Sequence, residues 1–367
     1  MATTPKAASA ASARNAGDRD AERKRAFLRF AGTARAVCET LLAAKTKEID
    51  FPGGARQSIR MRFEDGRSAI VTRRAQAARG RLEATILYAL SARGDGVPGV
   101  IAYDGRWLIQ EDLGGRRLAQ ALQAAEDAGD EAAGQRLLEA GLASLAANQK
   151  AAADARLERG ISVIGHKPQW IAQLVDMVDR LGRLLDAPPP PRPEALGQLL
   201  AVKRPRVVKW DARPGNAIVR DDGRVAWIDW EHCGCRNALD DVVWFLADEY
   251  TPDWPAGEAA ALDRHLLEFL DEGEDPEEAL RYLAAFMAVH SCARASLILT
   301  TKKDGPWRDP VAVLSGDKVG VARCFIERCL ARGARWAALA PETEMLAPWL
   351  ASLAARLPAD RASSQQD

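Results

Sequence analysis

The passage VVKWDARPGNAIVRDDGRVAWIDWEHCG, residues 207–234, constrains this chain more than any other stretch. Apolar runs on either side of Asp222-Gly223 read as two strands joined by a tight turn, because glycine accepts the positive φ such turns require. Asp211 and Asn216 lie in the Pro/Gly-rich bend before the first strand, and Asp229 and Glu231 close the second. Taken singly, Asp and Asn are turn formers whose side chains bond nearby backbone. Taken together at this spacing, they ask for a chemistry that needs acids at strand ends. Metal-dependent phosphoryl transfer is such a chemistry. Mg²⁺ takes a few carboxylate or amide oxygens together with phosphate oxygens. The transferred group needs neutralisation, alignment and an acceptor for the attacking hydroxyl's proton.

The Asp-Gly device recurs along the chain. Ile59, Met61 and Phe63 alternate with Arg60 and Arg62, which is strand period, and Glu64-Asp65-Gly66-Arg67 turns the chain back through Ala69–Arg73. Asp104-Gly105 joins Val100–Tyr103 to Trp107–Gln110. A helix is expected from Arg23 to Ala44 and another from Gln76 to Ala92. Leu82, Ile86 and Leu90 form the apolar stripe of the second, with Glu83 on its flank. After Gly114-Gly115 the chain becomes helical, over Leu118–Leu157 and Trp170–Leu185, and Pro188–Pro191 forms a stiff spacer. Asp275-Pro276-Glu277-Glu278 marks a helix start. The expected organisation is a disordered tail over 1–22, a β-rich lobe over 23–115, a larger helical lobe over 116–358 and a loose tail over 359–367.

Composition excludes several classes. The 51 basic residues balance the 51 acidic ones, so no overall basic field points to nucleic acid. Leu280–Leu299 is apolar but interrupted by Arg281, His290 and Arg294, so no membrane span is expected. Six cysteines without regular spacing suit a reduced, cytoplasmic protein. His232-Cys233-Gly234-Cys235 lacks the second pair that a structural zinc site requires. Charge is nevertheless uneven. Asp248–Glu278 holds twelve acids and one base, Arg264, and with Tyr250 and Trp254 it suggests a cationic acceptor held by carboxylates and an aromatic face.

Asp211-x-x-x-x-Asn216 followed by Ile228-Asp229-Trp230-Glu231 resembles the catalytic and metal-binding segments of the aminoglycoside phosphotransferase and choline kinase-like family, within the wider protein-kinase-like fold. Asn237–Trp244 resembles the segment whose aspartate braces the catalytic loop, which aligns with Asp241. Ile70-Val71-Thr72-Arg73 resembles the strand carrying a phosphate-binding cation, Glu83 its helix partner, and Leu108–Gly115 the hinge that holds adenine by backbone groups. The resemblance implies an α+β, bilobal fold with a small β-rich N-terminal lobe and a larger, mainly helical C-terminal lobe. It implies an ATP- and Mg²⁺-dependent kinase acting on a hydroxyl of a small molecule of cationic, amino-sugar or amino-alcohol kind, with neither nucleic acid nor membrane as partner. Asp211 is the expected catalytic base. Asn216, Asp229 and Glu231 are the expected metal ligands, and Arg73, Glu83, Glu111 and Leu113 would serve the nucleotide.

Three departures from the family pattern stand out. Members usually read His-Gly-Asp-x-x-Pro-Gly-Asn, where this chain has Lys209-Trp210-Asp211-Ala212-Arg213-Pro214-Gly215-Asn216. Lys209 puts a cation two residues from the base, where it would lower that acid's pKa. Trp210 replaces a small residue near the acceptor. The strand cation is Arg73, because no lysine occurs between Lys47 and Lys150, and arginine is not a conservative substitute for lysine. Pro52-Gly53-Gly54-Ala55 is the sole candidate phosphate loop. These departures motivate the alternative of a pseudokinase or nucleotide-binding regulatory module.

Overall fold

The computed structural model describes residues 25–52, 58–190, 195–316 and 319–359. The tail expected at 1–22, residues 360–367 of the other tail, Gly53, Gly54 and Ala55 of the candidate phosphate loop, and Pro191 of the spacer lie outside the described residues.

The chain divides into two compact units. The smaller comprises residues up to Arg81 together with Val100–Asp112, and the larger comprises Leu82–Gly99 and everything from Leu113 onward. The division differs from a single cut at 115/116, because the helix after the first hairpin passes to the larger unit at Leu82.

In the smaller unit, a helix at 25–42 (α1) precedes a five-stranded antiparallel sheet. Its strands are β1 (Thr46–Asp50), β2 (Ser58–Phe63), β3 (Ser68–Thr72), β4 (Val100–Tyr103) and β5 (Leu108–Glu111), in the order β1-β2-β3-β5-β4. The alternation read from sequence is realised: Ile59, Met61 and Phe63 are buried. They form one core with Ala69, Val71, Trp107, Ile109 and the α1 residues Ala34 and Cys38. Burying each large apolar side chain contributes about 1.5–3 kcal/mol. At the first turn Gly66 has φ 85° and Asp65 Oδ1 accepts the Arg67 amide at 3.0 Å. Strand β1 was not anticipated, since TKEID is mostly polar. It pairs β2 with Arg62 Nη1 donating to Glu48 Oε2 at 3.0 Å.

Helix α2 (Ala77–Ser91) leads into the larger unit, which continues with β6 (Arg116–Arg117), α3 (Leu118–Asp127), α4 (Glu131–Asp154), α5 (Pro168–Leu184) and the short α6 (Leu196–Leu199). The helical stretch expected over Leu118–Leu157 holds two helices. Gly129 at φ 64° ends the first, and the Asp130 carboxylate accepts from Ala133 N to start the second. Then come β7 (Arg206–Val208), β8 (Ala217–Val219), β9 (Val225–Trp227) and β10 (Gly234–Arg236). The helices α7 (Leu239–Leu246), α8 (Pro255–His265), α9 (Pro276–Lys302), α10 (Pro310–Ser315), α11 (Arg323–Ala337) and α12 (Leu346–Leu353) complete the chain. Asp275 caps α9 as expected, accepting from Glu277 N. By length and composition α9 is long and apolar enough to cross a membrane, but it is the buried centre of this unit, flanked by α5, α7 and α11.

Two small sheets position the site. Strand β8 pairs antiparallel with β9 and β6, while β7 pairs antiparallel with β10. The chain runs β7, loop 209–216, β8, then β9, loop 228–233, β10. Both loops therefore run from one sheet to the other, and strand pairing at each end holds them side by side. Gly115, at φ 63°, lets β6 approach β8, because a Cβ there would collide with the Val219 carbonyl.

Candidate active site

The register Ala217↔Trp227 sets Asn216 opposite Ile228, whose amide donates to the Asn216 carbonyl at 2.9 Å. Asp229 is the next residue. The hairpin alone thus brings the amide of one loop beside the carboxylate-bearing turn of the other. Asn216 Nδ2 donates to Asp211 Oδ2 at 2.9 Å and to the Asp211 carbonyl at 3.1 Å. With its nitrogen held this way, Asn216 directs its oxygen Oδ1 elsewhere, and that is the atom a metal would use.

Trp210, Asp211 and Asp229 have φ values of 50°, 66° and 63°. Left-handed backbone is uncommon for non-glycine residues and costs about 1–3 kcal/mol each, so surrounding structure must hold it. Three buried groups do so. Asp241, fully buried, accepts the amides of Lys209 at 2.8 Å and Trp210 at 2.9 Å, and Gln149 Nε2 donates to it at 3.1 Å. It lies within the first turn of α7. Burial pushes its carboxyl up to about 6 against these hydrogen bonds. Glu83, on α2 and fully buried, accepts the amide of Trp230 at 3.1 Å, immediately after Asp229.

The third group is Lys209. Its ammonium, fully buried, donates to the main-chain carbonyls of Asp211 at 3.0 Å and Asp229 at 3.1 Å. One cation therefore ties the turn at Asp211 to the turn at Asp229. Burial lowers its pKa, opposed by the charges of Asp211, Asp229, Asp241 and Glu83. The residue that departs from the family pattern lies beneath both loops, joined to main chain.

The remaining expected residues fall as follows. Glu231 is half-buried, with His232 Nε2 at 4.0 Å from Oε1. Glu111 ends β5 opposite Ala69, and Leu113 is half-buried at the start of the following segment. Arg73 has its guanidinium over the rings of Phe30 at 5.3 Å and Trp107 at 5.2 Å. The phosphate role expected of Arg73 gains no support from this stacking.

The acidic run is the clearest correction. Asp248, Glu249 and Glu258 are fully buried beneath arginines that sequence does not bring near them. Arg213 Nε donates to Asp248 at 2.6 Å, and Arg294 grips Glu249 through Nε at 2.7 Å and Nη2 at 2.6 Å. Arg332 and Arg335 take Glu258 at 3.0 Å and 2.8 Å, and Arg335 also takes Asp253 at 2.6 Å. Burial alone would raise Glu249, but the Arg294 and Arg213 charges outweigh it and hold this carboxyl well below the usual range. Asp248 and Glu249 anchor the 209–216 loop, through Arg213, to the helical core. Buried and paired, Asp248, Glu249 and Glu258 offer no acidic surface to a cationic acceptor.

A family model described as the phosphotransferase enzyme family matches residues 48–286, more than half of the chain. This chain belongs to the phosphotransferase enzyme family. An amicoumacin kinase in complex with AMP-PNP, Ca²⁺ and Ami matches this phosphotransferase with a TM-score of 0.50 at 15 % identity, over 78 % of this chain and 94 % of that one. Spectinomycin phosphotransferase in complex with ADP and spectinomycin matches with a TM-score of 0.50 at 10 % identity, over 89 % of this chain and 98 % of that one. At these identities the structures speak for the α+β fold alone. A comparison with curated protein sequences gives no significant match.

Three contributors escape a sequence reading. Gln149 sits in an alanine-rich helix, and Arg213 and Arg294 look like ordinary surface charges until the fold brings them to Asp248 and Glu249.

Proposed function

We propose that this phosphotransferase moves the γ-phosphoryl group of ATP, with Mg²⁺, to a hydroxyl of a small molecule. The observation that carries the reading is the hydrogen bond from Asn216 Nδ2 to the Asp211 carboxylate, beside an Asp229 turn fixed by the same lysine. Among the described residues no cluster of three His, Cys, Asp or Glu side chains makes a self-sufficient metal site. One amide oxygen and one or two carboxylates fit Mg²⁺ carried by a nucleotide, because that ion completes its shell with phosphate and water. Asn216 Oδ1 and Asp229 would hold it, with Glu231 as a further oxygen donor. When bound, the ion supplies neutralisation of the phosphates.

Asp211 orients the acceptor hydroxyl and takes its proton as the new O–P bond forms and the bond to the ADP oxygen breaks. General-base assistance of this kind typically contributes about 10²–10⁴ in rate. Asp241, Glu83 and Lys209 keep both loops in their left-handed turns, so no reorganisation is needed at the moment of transfer. The choice of ATP draws support from the AMP-PNP and ADP complexes of the two structures that share the fold. The cytoplasmic expectation draws support from six free cysteines.

The test is a Mg²⁺-ATP transfer assay across alcohols, sugars and amino sugars, run beside Asp211→Asn and Asp229→Ala. Turnover lost in both variants supports the reading. Nucleotide binding without transfer to any acceptor would favour the regulatory-module alternative.

A further inference from the structure

An aromatic cluster is built around the residue that precedes the base. Trp210 directly precedes Asp211 and is fixed through its amide to Asp241. The ring of Trp170, at the start of α5, lies 5.8 Å from that of Trp210, and the ring of Trp244, on α7, lies 5.3 Å away on another side. All three are half-buried. Arg236, fully buried and paired with Asp240, stacks on Trp170 at 4.8 Å and Trp210 at 5.6 Å and covers their inner side. Beyond Trp244 the ring of His290 follows at 4.5 Å. His290 is 3 % exposed, and its Nε2 and the Trp244 Nε1 have no hydrogen-bond partner. Buried polar atoms left unpaired are costly, and in a native protein each calls for an explanation.

Three buried carboxylates of the acidic run are already paired and offer nothing to a polycation. Asp248 and Glu249 are held by Arg213 and Arg294, and Glu258 by Arg332 and Arg335. The wall itself is backed by the Arg236 guanidinium. Half-buried tryptophan faces beside a base suit an acceptor that stacks and offers a hydroxyl at its edge.

We infer that Trp170, Trp210 and Trp244 form the acceptor subsite, and that it takes an uncharged molecule with a flat apolar face, an aromatic ring or the C–H face of a sugar, in preference to a polyamine. This rests on the phosphotransfer reading for the role of Asp211. Stacking against Trp170 and Trp244 holds the acceptor ring, and its hydroxyl meets the Asp211 carboxylate.

The test measures binding and transfer separately. Calorimetry on the full chain uses an aryl glycoside, a methyl glycoside, an arylalkanol and kanamycin, with wild type, Trp170→Ala, Trp170→Phe and Trp244→Leu. The expected result is preferential binding of an uncharged probe, weakened at least tenfold by Trp170→Ala and Trp244→Leu and largely retained in Trp170→Phe. The methyl glycoside and the arylalkanol separate the two kinds of flat face. In transfer, KM for the bound probe should rise in the alanine variant far more than kcat falls. Tighter binding of kanamycin, no binding of any uncharged probe, or an unchanged Kd in a folded Trp170→Ala would overturn the inference. Trp170→Phe guards against a variant that fails merely by unfolding. Transfer absent for every acceptor, with the binding pattern as expected, would sink the phosphotransfer reading and leave the tryptophan wall as a ligand site.

Discussion

Replacing Lys209 by methionine tests how the two loops are held. Methionine keeps most of the side chain's length and removes only the ammonium. The amide of residue 209 still donates to Asp241, so the loop keeps its main tether. Two hydrogen bonds from a charged donor, at 3.0 Å and 3.1 Å, are lost. Each such bond contributes about 1.5–3 kcal/mol. Against this, the variant no longer desolvates an ammonium, a cost visible in the lowered pKa of Lys209. The two effects offset, so the change in global stability should stay within about 2 kcal/mol. Catalysis has no such compensation. The turns at Asp211 and Asp229, with φ of 66° and 63°, lose the cation that joins them, and relaxation of about 3–4 kcal/mol in active geometry corresponds to roughly 10²–10³ in rate. The expected outcome is a kcat lowered by about two orders of magnitude, with a melting temperature displaced by only a few degrees. Lys209→His, which restores a ring donor at this position, should recover part of the loss. A methionine variant that folds and keeps kcat within about threefold of wild type would refute the clamp.

Two further outcomes follow from the buried charges. Arg294→Met leaves Glu249 buried without its bidentate partner, which should cost about 3–5 kcal/mol; it is read as a lower urea midpoint at unchanged slope, and adding Glu249→Gln should recover part of the loss. His290 is held neutral, its pKa pushed down to about 3 by burial and then by the Arg294 charge. The unfolded chain therefore binds a proton that the folded one refuses as pH falls below about 6.5, and stability should drop toward pH 3 by about 1 kcal/mol per pH unit. In His290→Asn this component of the pH profile should vanish, and a constant difference between the two profiles would contradict the assignment.

Much of the architecture was legible because it is written in local signals. Hairpins at Asp65-Gly66, Asp104-Gly105 and Asp222-Gly223 follow from glycine's tolerance of positive φ, and alternation at 59–63 named the buried face of β2 correctly. The Asp211–Asn216 spacing and the Asp229 position were legible for the same reason, since one bend and one hairpin bring them together. Strand β1 was missed because its face is polar and its pairing partner decides it.

The acidic run was misread for a deeper reason. Sequence registers charge along the chain, and Asp248–Glu278 is acidic along the chain. Ion pairing is decided across the chain, and Arg213, Arg294, Arg332 and Arg335 reach Asp248, Glu249, Asp253 and Glu258 only after α9 and α11 have packed. The same holds for Lys209, whose Nζ becomes a tie between two turns only when the fold sets Asp229 beside Asp211. Sequence by itself placed the hairpins and the Asp211, Asn216 and Asp229 spacing, because short-range periodicity and fixed spacing survive without folding, and the resemblance of that spacing to a known family pointed to the fold class and the candidate base and metal ligands. Only the tertiary structure decided which charges neutralise which and which aromatic rings meet, because Coulombic and stacking contacts depend on distances that packing alone sets.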